Sequence, residues 1–329
     1  MQGKIAVIGG GSWGTALGNL MAENNYEVTI YALEPEVVKG INDKNQNPLF
    51  LGGVKLDKKL RADLLKNFQG GYEKILWAVP TQFTRETLKK ISSLLAGKSI
   101  IVATKGIEIN TGELIIEIIS DVISANLSIL SGPSFAKEVC ERKPTAVSIA
   151  SSNEIEAKRW QEILSNTYFR AYTSDDVVGV EVGGAIKNVI AIATGICDGL
   201  QLGHNARAGI ITRGLAEITR LGIRLGGKKE TFMGLSGMGD LVLTCTGDLS
   251  RNRNVGLKIA EGYTLEEILK NMKMVAEGVF TAKAVKNLSE KLNIEMPISN
   301  EIYEILYNNK NPKQSLLDLM NRPLKEEHA

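Results

Sequence analysis

Up to about residue 176, short apolar runs alternate with stretches whose apolar positions recur every three or four residues. Strands are predicted at 4–8, 28–31, 74–79, 99–104 and 127–130, each bounded by glycine, proline or polar turns. Several are apolar at consecutive positions, which suits parallel strands covered on both faces. Helical periodicity fills the gaps at 15–23, 84–95 and 113–123. Two further strands, 146–150 and 169–172, flank a helix at 154–164 and are expected to extend the same sheet. Strand–helix alternation of this kind predicts an α/β fold, a Rossmann-type doubly wound parallel sheet.

Beyond residue 176 the period changes. Helical spacing dominates at 181–197, 207–221, 251–260, 264–272, 281–292 and 299–307, and β-rich runs nearly vanish. The pattern divides the chain into a dinucleotide-binding domain, 1–178, and an all-helical domain for substrate and catalysis, 179–329. A length of 329 residues suits two domains.

Composition removes several classes of function. With 39 basic and 37 acidic side chains the net charge is +2, so no strong field selects nucleic acid. Cys140, Cys197 and Cys245 are far apart and odd in number, which gives neither a disulfide framework nor metal-ligand spacing; His204 and His328 are the only histidines. The start, Met1-Gln2-Gly3-Lys4, runs straight into a strand without the pattern of a signal peptide. No apolar run is expected to approach bilayer-spanning length. A soluble, cytoplasmic protein is expected, with a small-molecule substrate, no metal, no nucleic-acid or membrane partner, and room for a homodimer. The tail, 325–329, is expected to fray.

The chemistry starts at Gly9-Gly10-Gly11-Ser12-Trp13-Gly14, a GxGxxG between strand and helix. Gly9 permits the tight turn, Gly11 lets the backbone approach a pyrophosphate, and Gly14 lets helix and strand pack closely. Where the second strand ends, Glu34 can accept hydrogen bonds from a free ribose 2′-hydroxyl and repel a 2′-phosphate; a residue of the next helix's first turn would also suit it. Lys105 and Gly132-Pro133-Ser134 come after strands at the edge where open α/β sheets bind ligands.

Lys187 lies in a helix apolar on most sides, where burial pushes an ammonium toward its neutral, basic form; a snorkelling lysine is the alternative. Thr194 and Asp198 share its helical stripe, and Glu181 and Asn188 form a second one. Ser250-Arg251-Asn252-Arg253 opens a helix with cations where acidic residues are usual, as suits an external anion; a solvated charge cluster is the alternative. Asp240 and Thr244 sit four apart on one helical face, placed to bind substrate hydroxyls or hold a lysine, unless Asp240 simply caps its own helix.

These stretches resemble the bacterial NAD(P)-dependent glycerol-3-phosphate dehydrogenase family nearly end to end. The likeness is carried by 7–17, VATKGI at 102–107, GPSFAKEV at 132–139, VEVGGAIKNVIAIATGICDG at 180–199, GLSGMGDLVLTCT at 234–246, LSRN at 249–252 and VAEGVFTAKA at 275–284. The resemblance implies Lys187 as proton donor and acceptor. It implies glycerol 3-phosphate binding by Lys105, Gly132, Ser134, Asp240, Ser250, Arg251 and Asn252. It implies cofactor contacts at Ser12, Trp13, Lys105, Ala136, Arg251, Val275 and Glu277. Expected function is reversible hydride transfer between NAD(P)H and dihydroxyacetone phosphate, supplying glycerophospholipid synthesis. Leu33 stands where many members carry arginine or histidine, which puts an NADP(H) preference in doubt, and Glu34 beside it favours NAD(H). His204 also departs from the family's usual residue. The rival readings are a dehydrogenase of another small hydroxy acid and a non-catalytic NAD(H) sensor.

Overall fold

The computed structural model describes residues 3–272 and 274–327. Among them one sheet is built from β1 (Lys4–Ile8), β2 (Glu27–Ala32), β3 (Arg61–Leu64), β4 (Lys74–Trp77), β5 (Ser99–Val102), β6 (Asn126–Ser131), β7 (Thr145–Ala150) and β8 (Phe169–Ser174). The spatial order is β3-β2-β1-β4-β5-β6-β7-β8. From β1 the chain winds outward through β2 and β3, then returns to β4 on the other side of β1. A crevice therefore opens at the carboxyl ends of β1 and β4.

Alternate residues of each central strand serve opposite faces. Ile5, Val7, Leu76 and Ile101 pack under α1 (Ser12–Glu23), α2 (Pro35–Lys44) and, past the short α5 (Ala136–Cys140), α6 (Glu154–Leu164). Ala6, Ile8, Ile75, Trp77, Ile100 and Val102 pack under α3 (Thr81–Leu95) and α4 (Ile115–Val122). Both faces are buried, so period-two alternation shows in the packing and not in the sequence.

Two expectations about the sheet need correction. It is mixed, because β6 and β7 run antiparallel while every other pair is parallel. The link between them carries only the five-residue α5, and the chain doubles back along β6 instead of crossing over. Buried parallel and antiparallel strands have similar residue patterns, so the reversal left no mark. The edge strand β3 was not predicted: Arg61-Ala62-Asp63-Leu64 is short, and Asp63 is among the residues depleted in strands.

The second half is helical: α7 (Val177–Gly199), α8 (Gly203–Arg224), α9 (Lys229–Phe232), a π-helical turn (Leu235–Gly239), α10 (Asp240–Thr246), α11 (Arg251–Ala260), α12 (Leu265–Lys270), α13 (Glu277–Leu292), α14 (Pro297–Asn308) and α15 (Pro312–Met320). α7 is the axis, buried without a break from Gly179 to Cys197. It is long and apolar enough to cross a bilayer by length and composition, contrary to the expectation from the sequence. Here the neighbouring helices cover it, which is the other way an all-round apolar helix is satisfied. Of the tail expected to fray, 328 and 329 lie outside the described residues, while Arg213 donates to the carbonyl of Glu327 at 2.8 Å and Lys325 pairs with Glu295.

Glycines set how closely α7 is approached. A Cβ on Gly195 would collide with the carbonyl of Arg253, and one on Gly256 with the carbonyl of Ile192. Backbone contact with α11 brings that helix's first turn beside Asn188, whose Oδ1 accepts from Asn252. Gly195→Ala is expected to destabilise the protein by about 3 kcal/mol, at or beyond the upper end for overpacked cores, because a backbone carbonyl cannot swing aside. Gly209→Ala, on the exposed side of α8 with nothing within 4 Å, should stabilise it by up to about 1 kcal/mol. Urea unfolding of both variants checks the pair; equal shifts of either sign would contradict the packing account.

Candidate active site

One cleft of about 1040 Å3 runs from the end of β2 to the junction of the two halves, lined by Gly9–Gly14, Glu34, Lys105, Ser134, Ala136, Lys187, Asp240, Ser250, Arg251, Asn252, Val275 and Glu277. Its upper end is the glycine loop. Gly9 has a φ of +118°, and a Cβ there would stand 2.6 Å from the carbonyl oxygen of Ala78. A Cβ on Gly14 would run into the carbonyl of Gly9, whereas one on Gly11 would meet nothing within 4 Å. Two of the glycines are thus demanded by the protein's own packing. Gly11 faces open cleft, as a close-approaching diphosphate at the start of α1 requires. Trp13 and Glu277 line this cleft, and the indole N–H of Trp13 is buried with no hydrogen-bond partner among the described residues. These residues fit a dinucleotide.

Leu33 and Glu34 line the cleft at the end of β2, Leu33 exposed and Glu34 just before the first turn of α2. Glu34 makes no side-chain cap hydrogen bond there, which leaves its carboxylate to the cleft.

At the other end Asp240 is buried and holds two ammonium groups. Lys187 from α7 donates to Oδ1, and Lys105, beyond β5, donates to Oδ2 at 2.6 Å. Lys187 also donates to Thr244 Oγ1 at 2.9 Å, while that hydroxyl donates to the carbonyl of Asp240 at 2.6 Å. Lys105 reaches the carbonyl of Gly132 at 3.3 Å. Asp240 does not cap its own helix, whose N-cap is Gly239; the carboxylate holds lysines.

Close contacts on three sides build the cluster. A Cβ on Gly183 would lie 2.7 Å from the carbonyl of Ser236, so the π-helical turn rests on α7 and delivers Asp240 to Lys187. A Cβ on Gly184 would lie 2.5 Å from Ser131 Oγ and 3.4 Å from Lys105 Cδ, so the sheet edge and the lysine stem rest on the next residue. Gly132 has a φ of +145°, and a Cβ there would sit 2.8 Å from the Cα of Val147.

Burial pulls the pKa of Lys187 down to about 7; Asp240 opposes this, and the Lys105 charge reinforces it. A lysine buried in water-poor surroundings and near neutrality at pH 7 can both give and take a proton.

The start of α11 supplies the anion site in a form partly different from expectation. Arg251 forms no hydrogen bond or ion pair among the described residues, and burial weakens its hold on its proton. Arg253 is already neutralised, by Asp198 at 2.8 Å and Asp248 at 3.1 Å. The first turn therefore offers one free guanidinium. Ser250 Oγ is occupied by the backbone N–H of Arg253 at 3.2 Å. Asn252 spans Asn188 Oδ1 and the N–H of Gly278, each at 2.9 Å, fixing α11 against α7 and α13. Along the Lys187 stripe of α7, Thr194 donates to the carbonyl of Cys245 on α10, the helix that Lys187 also meets, and Asp198 pairs with Arg253 and Arg207.

Glu277, first residue of α13, reaches across to accept the N–H of Thr81 at the start of α3, at 3.1 Å. Burial raises its pKa to about 7, with Thr81 and Arg251 holding it down. Glu181 likewise accepts the N–H of Ile116 at 3.2 Å, tying α7 to α4. Phe50, Phe83 and Leu243 also line the cleft and carried no signal in the sequence, since an apolar residue on a cleft wall reads like any other.

Comparison with known proteins gives a consistent result. Residues 4–157 match the family described as NAD-dependent glycerol-3-phosphate dehydrogenase N-terminus, and 176–317 match the corresponding C-terminus. The chain is 52% identical to glycerol-3-phosphate dehydrogenase [NAD(P)+] of Citrifermentans bemidjiense over 99% of both chains. It is 49% identical to the enzyme of that name from Leptospira biflexa, over 98% of this chain and 99% of that one. A crystal structure of glycerol-3-phosphate dehydrogenase from Coxiella burnetii superposes with a TM-score of 0.93 at 39% identity, covering 97% of this chain and 99% of that chain.

If the two charges around Lys187 act in this way, substituting each should move its acidity in opposite directions. Asp240→Asn should lower the Lys187 pKa and Lys105→Met should raise it, each by about one unit or more. NMR titration of Lys187 labelled at Cε reads this directly. Shifts in the same direction, or none, would refute the shared-carboxylate arrangement.

Proposed function

The chain belongs to the NAD-dependent glycerol-3-phosphate dehydrogenase family, and from that premise we propose how its residues carry out reversible reduction of dihydroxyacetone phosphate to sn-glycerol 3-phosphate. One observation carries the assignment: Lys187 and Lys105, from different halves of the chain, share the buried Asp240 on the wall of the cleft. Lys187 is the acid–base group. In reduction it gives its proton to the ketone oxygen, and in oxidation its neutral form takes the proton from the hydroxyl. The nicotinamide cofactor, when bound, supplies or accepts the hydride. Asp240 and Thr244 fix the direction of the Lys187 amine, and Lys105 orients the reacting oxygen and keeps Lys187 acidic.

Arg251 and the first N–H groups of α11 take the phosphate, a doubly charged group suited to a guanidinium at a helix N-terminus. Gly132, Ser134, Ser250 and Asn252 complete the wall around the substrate. Gly9, Gly11, Ser12, Trp13, Gly14, Ala136, Val275 and Glu277 hold the cofactor. NADH is favoured over NADPH because Glu34, with Leu33 beside it, presents a carboxylate where a 2′-phosphate needs a cation. Lys66 and Lys90 also line the cleft, but neither lies on the β2 turn. Residues 1–178 and 179–329 are proposed as the two domains of a cytoplasmic enzyme, with a homodimer as its assembly and glycerophospholipid synthesis as the use of its product.

Lys187→Ala is expected to lower turnover at least about a hundredfold while leaving NADH affinity nearly intact. Near-normal turnover in that variant would remove Lys187 from the mechanism. Arg251→Ala should chiefly raise KM for dihydroxyacetone phosphate, and an unchanged KM would exclude it from the phosphate site.

Steady-state assays should also give NADH a kcat/KM at least about tenfold above NADPH, with Glu34→Arg narrowing the gap. Equal use of both cofactors by the parent enzyme would overturn the role of Glu34.

A further inference from the structure

Beyond Lys105 the chain has left the sheet and has little regular structure of its own. Residues 106–114 form neither helix nor strand; an isolated bridge joins Ile107 to Leu114, and the N–H of Glu108 bonds the carbonyl of Glu113 at 3.0 Å. The fixing of this loop comes from the first turns of α3. Gln82 donates from Nε2 to the carbonyl of Ile107 at 2.8 Å and accepts at Oε1 from the N–H of Ile109 at 3.1 Å. One amide thus pairs with the backbone on both sides of Glu108, as a neighbouring strand would. Arg85, one turn further along the same face, grips the Glu108 carboxylate through Nε at 3.1 Å and Nη2 at 3.0 Å. Gly106 lies against Thr81, whose Oγ1 a Cβ at Gly106 would strike.

We propose that Gln82 is a positioning residue for the reaction, holding the backbone just beyond Lys105 so that the Lys105 ammonium stays on Asp240 beside Lys187. The inference rests on the acid–base role proposed for Lys187. Ile107 is fully buried in the core of the helical half, so packing keeps the loop near its place. Packing alone leaves its direction free, because apolar contact is non-directional. The amide supplies direction at Ile107 and Ile109, on either side of the Glu108 that Arg85 grips. Without it the carbonyl of Ile107 loses its Gln82 partner, and a shift of about 1 Å suffices to break the Lys105–Asp240 contact.

The reporter is the pH dependence of kcat for dihydroxyacetone phosphate reduction, whose high-pH limb tracks loss of the Lys187 proton. With Lys105 withdrawn, Lys187 loses a neighbouring positive charge and keeps its proton to higher pH. Gln82→Met, close to the same size without the amide, should lower kcat on the order of tenfold to a hundredfold and move the midpoint of that limb up by about half a unit or more. Lys105→Met should move it the same way. Should Gln82→Met fail to give folded protein, Gln82→Asn, the same amide one methylene short, carries the same expectation. A lowered Tm with an unmoved midpoint would mean a merely structural role and would overturn the proposal. Lys187→Ala, assayed alongside, separates the two claims: an active Lys187→Ala enzyme defeats the acid–base role itself, whereas an inactive one with an unmoved Gln82→Met midpoint defeats only the role of Gln82.

Discussion

Asp240 sits in the interior with one oxygen on Lys187 and the other on Lys105, and the rest of the molecule is arranged around that carboxylate. Two ammonium groups this close repel each other, and each is costly to bury alone. The single negative charge between them makes the cluster tolerable without making it neutral. The excess positive charge, together with burial, keeps Lys187 near the point where it gives and accepts protons with equal ease. Removing the carboxylate would leave buried cations unpaired, a loss of about 3–5 kcal/mol in comparable cases.

Three parts of the chain must meet for this to happen, and small residues let them. Gly183 receives the turn before Asp240, Gly184 receives the stem of Lys105, and Gly195 with Gly256 brings α11 against α7. α7 is therefore bare of side chains where partners press on it and carries one lysine where the cleft begins. Glu181 and Glu277 then reach from the helical half to the starts of α4 and α3. Each satisfies a backbone N–H that the helix cannot satisfy itself.

How much of this was legible in the sequence depends on range. The glycine loop could be read because the turn, the diphosphate approach and the helix packing all act within a few residues of one another. Lys187 could be read because a charge inside an apolar helix is conspicuous whatever surrounds it. Asp240 with Thr244 was visible as a face, but its two lysines lie 53 and 135 residues away, and spacing says nothing about which partner a carboxylate meets. For the same reason nothing in the spacing pairs Arg253 with Asp198, 55 residues away, which neutralises it. The direction of β7 and the short edge strand β3 escaped because apolar runs do not record strand polarity and four residues carry little periodicity. Gln82 gave no signal at all, since its work is done on backbone atoms.

In the mechanism proposed above, an amine from the helical half and a guanidinium at the start of α11 face one substrate across the same gap. A crystal structure of the protein with NADH and glycerol 3-phosphate tests it most directly. The Lys187 amine is expected within hydrogen-bond reach, about 2.6–3.2 Å, of the oxygen on the middle carbon, with Arg251 on the phosphate. A substrate bound with that oxygen away from Lys187, or with its phosphate held by residues other than the first turn of α11, would contradict it.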